Sequence, residues 1–268
     1  MESLSGLRER RAFECRLTPD RALGSLDEAE AFLQDRALLT RTPDCALPSL
    51  YEACHEEPYA PGTVGFGTWP ATKWPWFGAL TDRGHLCVAV HRGKNLLVST
   101  EAAALLDPIC RAETDRVRAA DPGWRRLLDH LARVGPSTTE DLRTELSLKR
   151  QELKALRSPL ERCGVIVARS IAMTSGRDDP DHGSHRQDSE LSRWDQAYHA
   201  PPADTADPTD AFADLLVAAV RAAVVAPEPE LRRWFSWTWY CTDTLVDDLV
   251  RAGRLRRLDA HIAVPGSG

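Results

Sequence analysis

Apolar positions recur along this chain in one order: a helical stripe, a polar turn, a second helical stripe, a glycine stop, and two short alternating runs. The cleanest copies span Trp124 to Ile171 and Phe212 to Val264, with a degraded copy earlier. In the second copy, Trp124, Leu127, Leu128, Leu131 and Val134 fall at helical spacing and Gly135-Pro136 stops the run. Ser137-Thr-Thr-Glu140 then reads as a capping box opening a helix over Thr138 to Leu146, with the serine oxygen taking the N3 amide. The third helix carries Leu153, Leu156, Leu160 and Cys163 on its core face, and Pro159 predicts a kink or a restart with Ser158 as N-cap. A strand over Val165 to Ser170 leads into the polar stretch MTSGRDDPDHGSHRQD, which predicts an extended, mobile wing tip before a return strand ending near Trp194.

The third copy places Phe212, Leu215, Leu216, Ala219, Val220 and Ala223 on its first helix, Leu231, Trp234 and Phe235 on its second, and Leu245, Leu249 and Val250 on its third. An Asp259-Ala260 turn joins strands Arg254 to Leu258 and His261 to Val264. In the first copy, Leu26, Ala29, Phe32 and Leu33 mark a helix and Pro48-Ser49-Leu50-Tyr51 starts another. The Gly-, Pro- and Trp-rich run from Pro58 to Trp76 reads as an ordered loop, because its tryptophans are costly to leave in water. Leu86 to Val90 and Leu96 to Ser99 form a hairpin with a polar tip at His91 to Asn95.

The expected fold class is α+β, mostly α: three tandem winged-helix domains. The boundaries are an N-terminal arm over 1–24, a degenerate unit with a hairpin over 25–106, a second unit with a long acidic wing over 121–195, a linker over 196–209, and a third unit over 210–266. A length of 268 residues agrees with two or three such cores.

Composition narrows the function classes. The formal charge is -6, so contact with nucleic acid must be local rather than spread over a basic coat. Seven scattered cysteines with no CxxC pair read as a reduced set, and no apolar run reads as a leader or membrane span; a cytoplasmic protein is expected.

Arg150, Lys154 and Arg157 share one face of the third helix of the second unit, where a recognition helix meets the major groove, and Lys149 and Arg143 stand nearby to take phosphates. Their alternative is a solvated helix face, with Glu152 and Glu161 weakening the field. Arg251, Arg254, Arg256 and Arg257 form the densest basic cluster, a second candidate for phosphate. Trp237 and Trp239 beside Arg232 and Arg233 are candidates for base stacking, with core filling as the alternative. The wing's Asp178, Asp179, Asp181 and Asp188 oppose DNA contact there. His182 and His185 with Asp179 and Asp181 are metal-ligand types on a loop whose ordering costs too much, so no metal and no cofactor is expected.

Trp74-Pro-Trp76 running into the hairpin with Arg92-Gly93-Lys94, Gly135-Pro-Ser-Thr-Thr-Glu-Asp-Leu142, and Leu231-Arg-Arg-Trp-Phe-Ser236 followed by Leu249-Val-Arg-Ala-Gly-Arg-Leu255 together resemble the AlkZ and YcaQ group of bacterial DNA glycosylases and their shorter relatives. The resemblance covers most of residues 25 to 264. It implies a DNA-associated scaffold of tandem winged helices, with Arg92 and Lys94 on a hairpin that probes the DNA groove. Family enzymes position water with a Gln, an intervening residue and a second Gln, Asp or His. Here Gln34, Gln151, Gln187 and Gln196 form no Gln-x-Gln pair, so no catalytic residue carries over. The functional expectation is a DNA-binding protein associated with repair or alkylation resistance. The alternatives are a glycosylase for bulky alkylated bases or cross-links, and a protein-interaction scaffold.

Overall fold

The computed structural model describes residues 2–60, 62–172, 187–199 and 207–266. The expected wing tip from Met173, its His182 and His185 group, and the prolines Pro201 and Pro202 of the expected linker lie outside these residues.

The chain opens with α1 (Leu4–Glu14), capped by Ser3, whose side chain accepts from Gly6 N. The first 24 residues are therefore not merely an arm: Leu7 is buried against Val224, Val225 and Ala263 at the far end of the sequence. The first unit comprises α2 (Leu26–Arg36), β1 (Leu38–Thr40), α3 (Trp76–Asp82), β2 (Leu86–His91) and β3 (Lys94–Val98). The helix expected from Pro48 shrinks to a 3-10 turn, Glu52–Cys54, closed by His55 in the left-handed region at φ 44.

After it runs α4 (Thr100–Ala120), the longest helix among the described residues, capped by Ser99 and carrying Pro108 inside it. The second unit is α5 (Pro122–Val134), β4 (Ser137–Thr138), α6 (Thr139–Glu145), α7 (Arg150–Arg162), β5 (Ile166–Ala172) and β6 (Gln187–Arg193), followed by the short α8 (Trp194–Ala197). The third is α9 (Pro208–Ala223), β7 (Val225–Pro227), α10 (Glu228–Leu231), α11 (Leu245–Arg251), β8 (Arg256–Leu258) and β9 (His261–Ala263). Each unit holds a three-stranded antiparallel sheet in which its last strand lies between the other two: β1-β3-β2, β4-β6-β5 and β7-β9-β8. The architecture is α+β, consistent with winged-helix domains.

Local details correct the sequence reading by small steps. Ser137 belongs to β4, and Thr138 is the cap of α6, accepting from Asp141 N at 3.1 Å. The cap falls one residue later because strand pairing of Ser137 with Leu191 holds the serine in the sheet. Helix α7 runs through Pro159 without restarting. Its first turn is closed by Glu152, whose carboxylate accepts Lys149 N at 2.7 Å. Asp207 caps α9 with Pro208 at its first position, so Pro208 begins a helix rather than ending a linker.

The units share one core through α4. Ala103, Leu106, Ile109 and Cys110 of α4 pack in the same apolar cluster as Val90 and Leu96 of the first hairpin, Val167 and Trp194 of the second unit, and Phe212, Trp234 and Trp237 of the third. Two buried carboxylates on α4 add polar clamps. Asp107 accepts Trp194 Nε1 at 2.7 Å and Arg111 Nε at 2.8 and 2.9 Å. Glu113, fully buried, accepts Trp239 Nε1 at 3.1 Å, the Tyr240 hydroxyl at 3.0 Å and Arg116 at 2.5 and 2.9 Å. A buried carboxylate is tolerable only when so satisfied.

Gly164 marks the meeting point. A Cβ there would lie 2.6 Å from Cys110 Sγ, 3.2 Å from the Trp237 ring and 3.3 Å from Val90, and its φ is +72. The glycine stop of the sequence pattern thus lets α4, the first hairpin and the third unit close on the second.

Candidate nucleic-acid interface

The basic residues singled out in the sequence meet different fates. Arg254 is held by Asp214 at 2.5 Å, and Arg257 by Glu228 at 2.6 Å and Asp247 at 2.7 Å. Hydrogen bonds from Glu228, then Asp247, hold the Arg257 guanidinium above its ordinary pKa. Arg251 pairs with Asp248, and Arg256 donates to Glu2 O. Three of the four arginines of the densest basic cluster are therefore paired with acids from α9, α10 and α11, which weakens its field for a phosphate. A cleft of about 470 Å³ nearby is lined by Glu228, Asp243 and Asp247 as well as Arg232 and Arg233, and Asp243 holds Arg232 at 2.7 Å.

The first hairpin is docked rather than presented. His91 is buried, not part of a polar tip, and the turn is Arg92-Gly93. Arg92 Nε donates to Arg233 O at 2.7 Å, Ser236 N donates to Val90 O at 2.8 Å, and Lys94 pairs with Asp44. Gly93 lies against Arg162 of α7, whose Nε would be 2.9 Å from an added Cβ. Arg92 is engaged by the third unit and Lys94 by Asp44 of the first, which leaves neither side chain unpartnered at the hairpin tip.

Trp237 is 0% exposed and donates Nε1 to Cys163 O at 3.1 Å, so it fills the seam between units and cannot stack on a base. Trp239 is 48% exposed, with the Arg116 guanidinium 4.7 Å from its ring centre. One face of its indole is already covered.

On the second unit, Arg143 pairs with Glu140 at 2.6 Å and the half-buried Arg157 with Glu161 at 3.1 Å. Burial raises the Glu161 pKa, and the Arg157 charge opposes that rise. Lys149, Arg150 and Lys154 are exposed at the start of α7, and none has an acidic side-chain partner among the described residues. They sit there because Leu153 and Leu160 take the core face of the same helix. Of the ten candidate cations, Arg92 and Arg256 also lack an acidic side-chain partner among the described residues but are tied to backbone carbonyls, so these three alone are neither paired nor tied down.

A larger feature went unread in the sequence. A groove of about 980 Å³ runs between the first unit and the β5–β6 hairpin, lined on one side by Arg41, Tyr51, Trp69, Trp74 and Phe77, and on the other by Val167 to Ile171, Glu190 and Ser192. Past β1 the chain doubles back, with Ser49 Oγ and Tyr51 N donating to Arg41 O at 3.0 and 3.2 Å. That fold lays the Arg41 guanidinium 4.3 Å from the Phe77 ring centre and 4.8 Å from that of Trp69. Its Nε is buried with no hydrogen-bond partner among the described residues. Tyr51 and Trp69 are 5.6 Å apart, Phe66 and Trp69 4.6 Å, and Phe66 and Trp74 5.5 Å. The tryptophans expected to order the loop do so, and with Arg41 they make a wall suited to flat, π-rich groups. Arg169, at the groove's opposite side, pairs with Asp82 at 2.7 Å. A lone Arg after a three-residue strand has no sequence signature; only the density of aromatics between Tyr51 and Phe77 hinted at the wall.

The glutamines offer no water-positioning pair among the described side chains. Gln34 and Gln151 are exposed on α2 and α7. Gln196 is consumed by structure: its Oε1 accepts Arg193 N at 3.0 Å and its Nε2 donates to Leu131 O at 2.7 Å. The side chain of Gln187 lies outside the described residues.

Three sheets of one topology around a shared helix, beside an aromatic groove, define the class: the chain has the fold of the AlkZ-type proteins. Among solved structures, the Streptomyces sahachiroi DNA glycosylase AlkZ is similar over 98% of this chain and 70% of its own, at 14% identity and a TM-score of 0.56. No family model matches the chain, and no curated protein matches it. Among the described residues no helix is long and apolar enough to cross a membrane.

Proposed function

We propose that the protein is a DNA-binding protein of the DNA-repair type, built as three tandem winged-helix units, that meets duplex DNA with the start of α7. The carrying observation is that Lys149, Arg150 and Lys154 are exposed without an acidic partner on the helix that corresponds to a recognition helix, while the other candidate cations are paired with acids or tied to backbone carbonyls. The AlkZ fold supports the reading, since that neighbour is a DNA glycosylase. The Arg41 groove is the complementary feature: its stacked guanidinium and aromatic wall suit a base exposed by damage or unpairing, at about 1–3 kcal/mol per stacked base.

Base excision is a second reading, favoured by that groove and the fold neighbour, and it requires a water-positioning group other than a Gln-x-Gln pair. Fluorescence anisotropy with labelled duplexes tests the first reading. Changing Lys149, Arg150 and Lys154 together to Ala weakens binding at least tenfold if each phosphate contact contributes on the order of 0.5–1 kcal/mol. Equal affinity of the wild type and the triple variant removes α7 as the interface. Absence of affinity for any DNA at low salt leaves an interaction scaffold. Release of a modified base from alkylated duplex establishes the enzyme.

A further inference from the structure

On the side of the first unit that docks against the third, Asp44, Cys45 and His91 converge, with one ligand-type atom from each within 4.8 Å of the others. His91 is 1% exposed. Its Nδ1 lies 2.6 Å from Trp234 O. A carbonyl only accepts, so Nδ1 carries a proton, and in the neutral ring the Nε2 lone pair points the other way. There it meets Asp44 Oδ1 at 3.1 Å and Cys45 Sγ at 3.9 Å. A lone pair facing a carboxylate oxygen at that distance is repulsive unless a positive charge lies between them or on the ring.

We infer that Asp44, Cys45 and His91 form a binding site for one zinc-class divalent cation, which fastens the loop after β1 to the end of β2 where the first unit meets the third. The donor set is right for it: imidazole nitrogen, thiolate sulfur and carboxylate oxygen, with water in the fourth position. A tetrahedral zinc with ordinary bond lengths holds N and O about 3.4 Å apart and N and S about 3.6 Å apart, so the two separations from Nε2 need adjust by only about 0.3 Å, while the oxygen and sulfur, within 4.8 Å of each other, would close to about 3.6 Å. The remaining features are those of an outer shell. The Nδ1 proton is donated to a backbone carbonyl, which fixes the tautomer and aims Nε2 at the cation. Lys94 holds the other oxygen of Asp44, leaving Oδ1 for the cation. As the sulfur–metal bond forms, the Cys45 thiol releases its proton to solvent.

The link has a mechanical consequence. Asp44 and Cys45 lie on the loop after β1, His91 ends β2, and Trp234 follows α10 of the third unit. Ala46 N donates to Glu230 of that unit at 2.9 Å, so the same loop is already anchored there. Binding therefore fixes the first unit's side of that seam, where Ala46 and His91 already hydrogen-bond to the third unit.

Cobalt(II) and zinc(II) titrations of the full-length, chelator-treated protein test the site. The expected result is one equivalent of cobalt with tetrahedral visible bands and a thiolate-to-cobalt charge-transfer band in the near ultraviolet, displaced by zinc, with Tm rising until one equivalent is bound. Cys45→Ser abolishes the charge-transfer band and Asp44→Asn weakens binding at least tenfold, each with an unchanged far-ultraviolet circular dichroism spectrum. Lys94→Ala, which frees Asp44, leaves the band in place. Absence of the band in the wild type, or its persistence in Cys45→Ser, overturns the inference and leaves His91 and Asp44 as an imidazolium–carboxylate pair. Should Cys45→Ser fail to fold, retention of full affinity by Asp44→Asn overturns it equally.

Discussion

Glu113 offers the sharpest test of how the units are joined. Replacing it with Gln keeps an oxygen that can still accept from the Trp239 indole and the Tyr240 hydroxyl, but turns an amide NH2 toward the Arg116 guanidinium. The substitution removes the 2.5 and 2.9 Å hydrogen bonds from Arg116. Hydrogen bonds to charged groups contribute about 1.5–3 kcal/mol each, but Arg116 is 49% exposed and can return to water, so the net cost is about 2 kcal/mol. Glu113→Ala also strands the indole and hydroxyl donors next to a cavity, raising the cost to about 4–5 kcal/mol. At about 2–4 °C per kcal/mol for a chain of this size, Tm falls by about 4–8 °C for Gln and about 8–20 °C for Ala. Thermal and urea unfolding followed by circular dichroism measure both. A Gln variant as stable as wild type, or an Ala variant no worse than Gln, refutes the claim that a charged Glu113 clamps the third unit to α4.

Gly164→Ala places a Cβ 2.6 Å from Cys110 Sγ at φ +72, and unfolding should show a loss of at least about 2 kcal/mol; a neutral substitution contradicts the close packing of α4, the first hairpin and Trp237. Burial opposes ionisation of Glu56, but bonds from the Thr72 hydroxyl and amide at 2.6 and 2.7 Å and from Lys73 N at 3.2 Å lower its pKa. Its stabilisation is therefore present above the unfolded carboxylate value of about 4.3 and lost as pH falls through the depressed folded value. Tryptophan fluorescence should report acid loosening of the Trp69–Trp76 segment, and Glu56→Gln should show it already at neutral pH; a pH-independent signal in the wild type counts against the linkage. Burial pushes the Cys15 thiol up to about 11 and that of Cys54 up to about 12, so both should resist a thiol reagent at neutral pH until the protein unfolds. Prompt labelling of either of them in the native protein contradicts that burial.

The helical stripes were legible where one face is apolar throughout, as in Leu127, Leu128 and Leu131 of α5 or Leu153 and Leu160 of α7. Helix α4 was not. Its buried face includes Asp107 and Glu113 beside Leu106 and Cys110, and it carries Pro108, so polar letters and a helix breaker stand where periodicity expects apolar ones. The partners that justify those carboxylates, Trp194 and Trp239, lie 87 and 126 residues away. The pairing of the basic cluster after Gly253 was hidden for the same reason. Local sequence shows Arg254, Arg256 and Arg257 together but cannot show that Asp214, 40 residues earlier, and Glu228, 29 residues earlier, neutralise two of them. The cap of α6 depends on near neighbours and was legible to within one residue; the aromatic groove and the Asp44, Cys45 and His91 group depend on chain reversals that no short motif encodes.

The central claim is that α7 meets the DNA backbone through Lys149, Arg150 and Lys154. Its most direct measurement is the slope of log binding constant against log salt concentration for duplex DNA, compared between wild type and the triple Ala variant. Each phosphate contact contributes about 0.9 to that slope, so the account predicts a slope shallower by about 2.7 in the variant. Parallel slopes would place the DNA elsewhere on the protein and contradict the account.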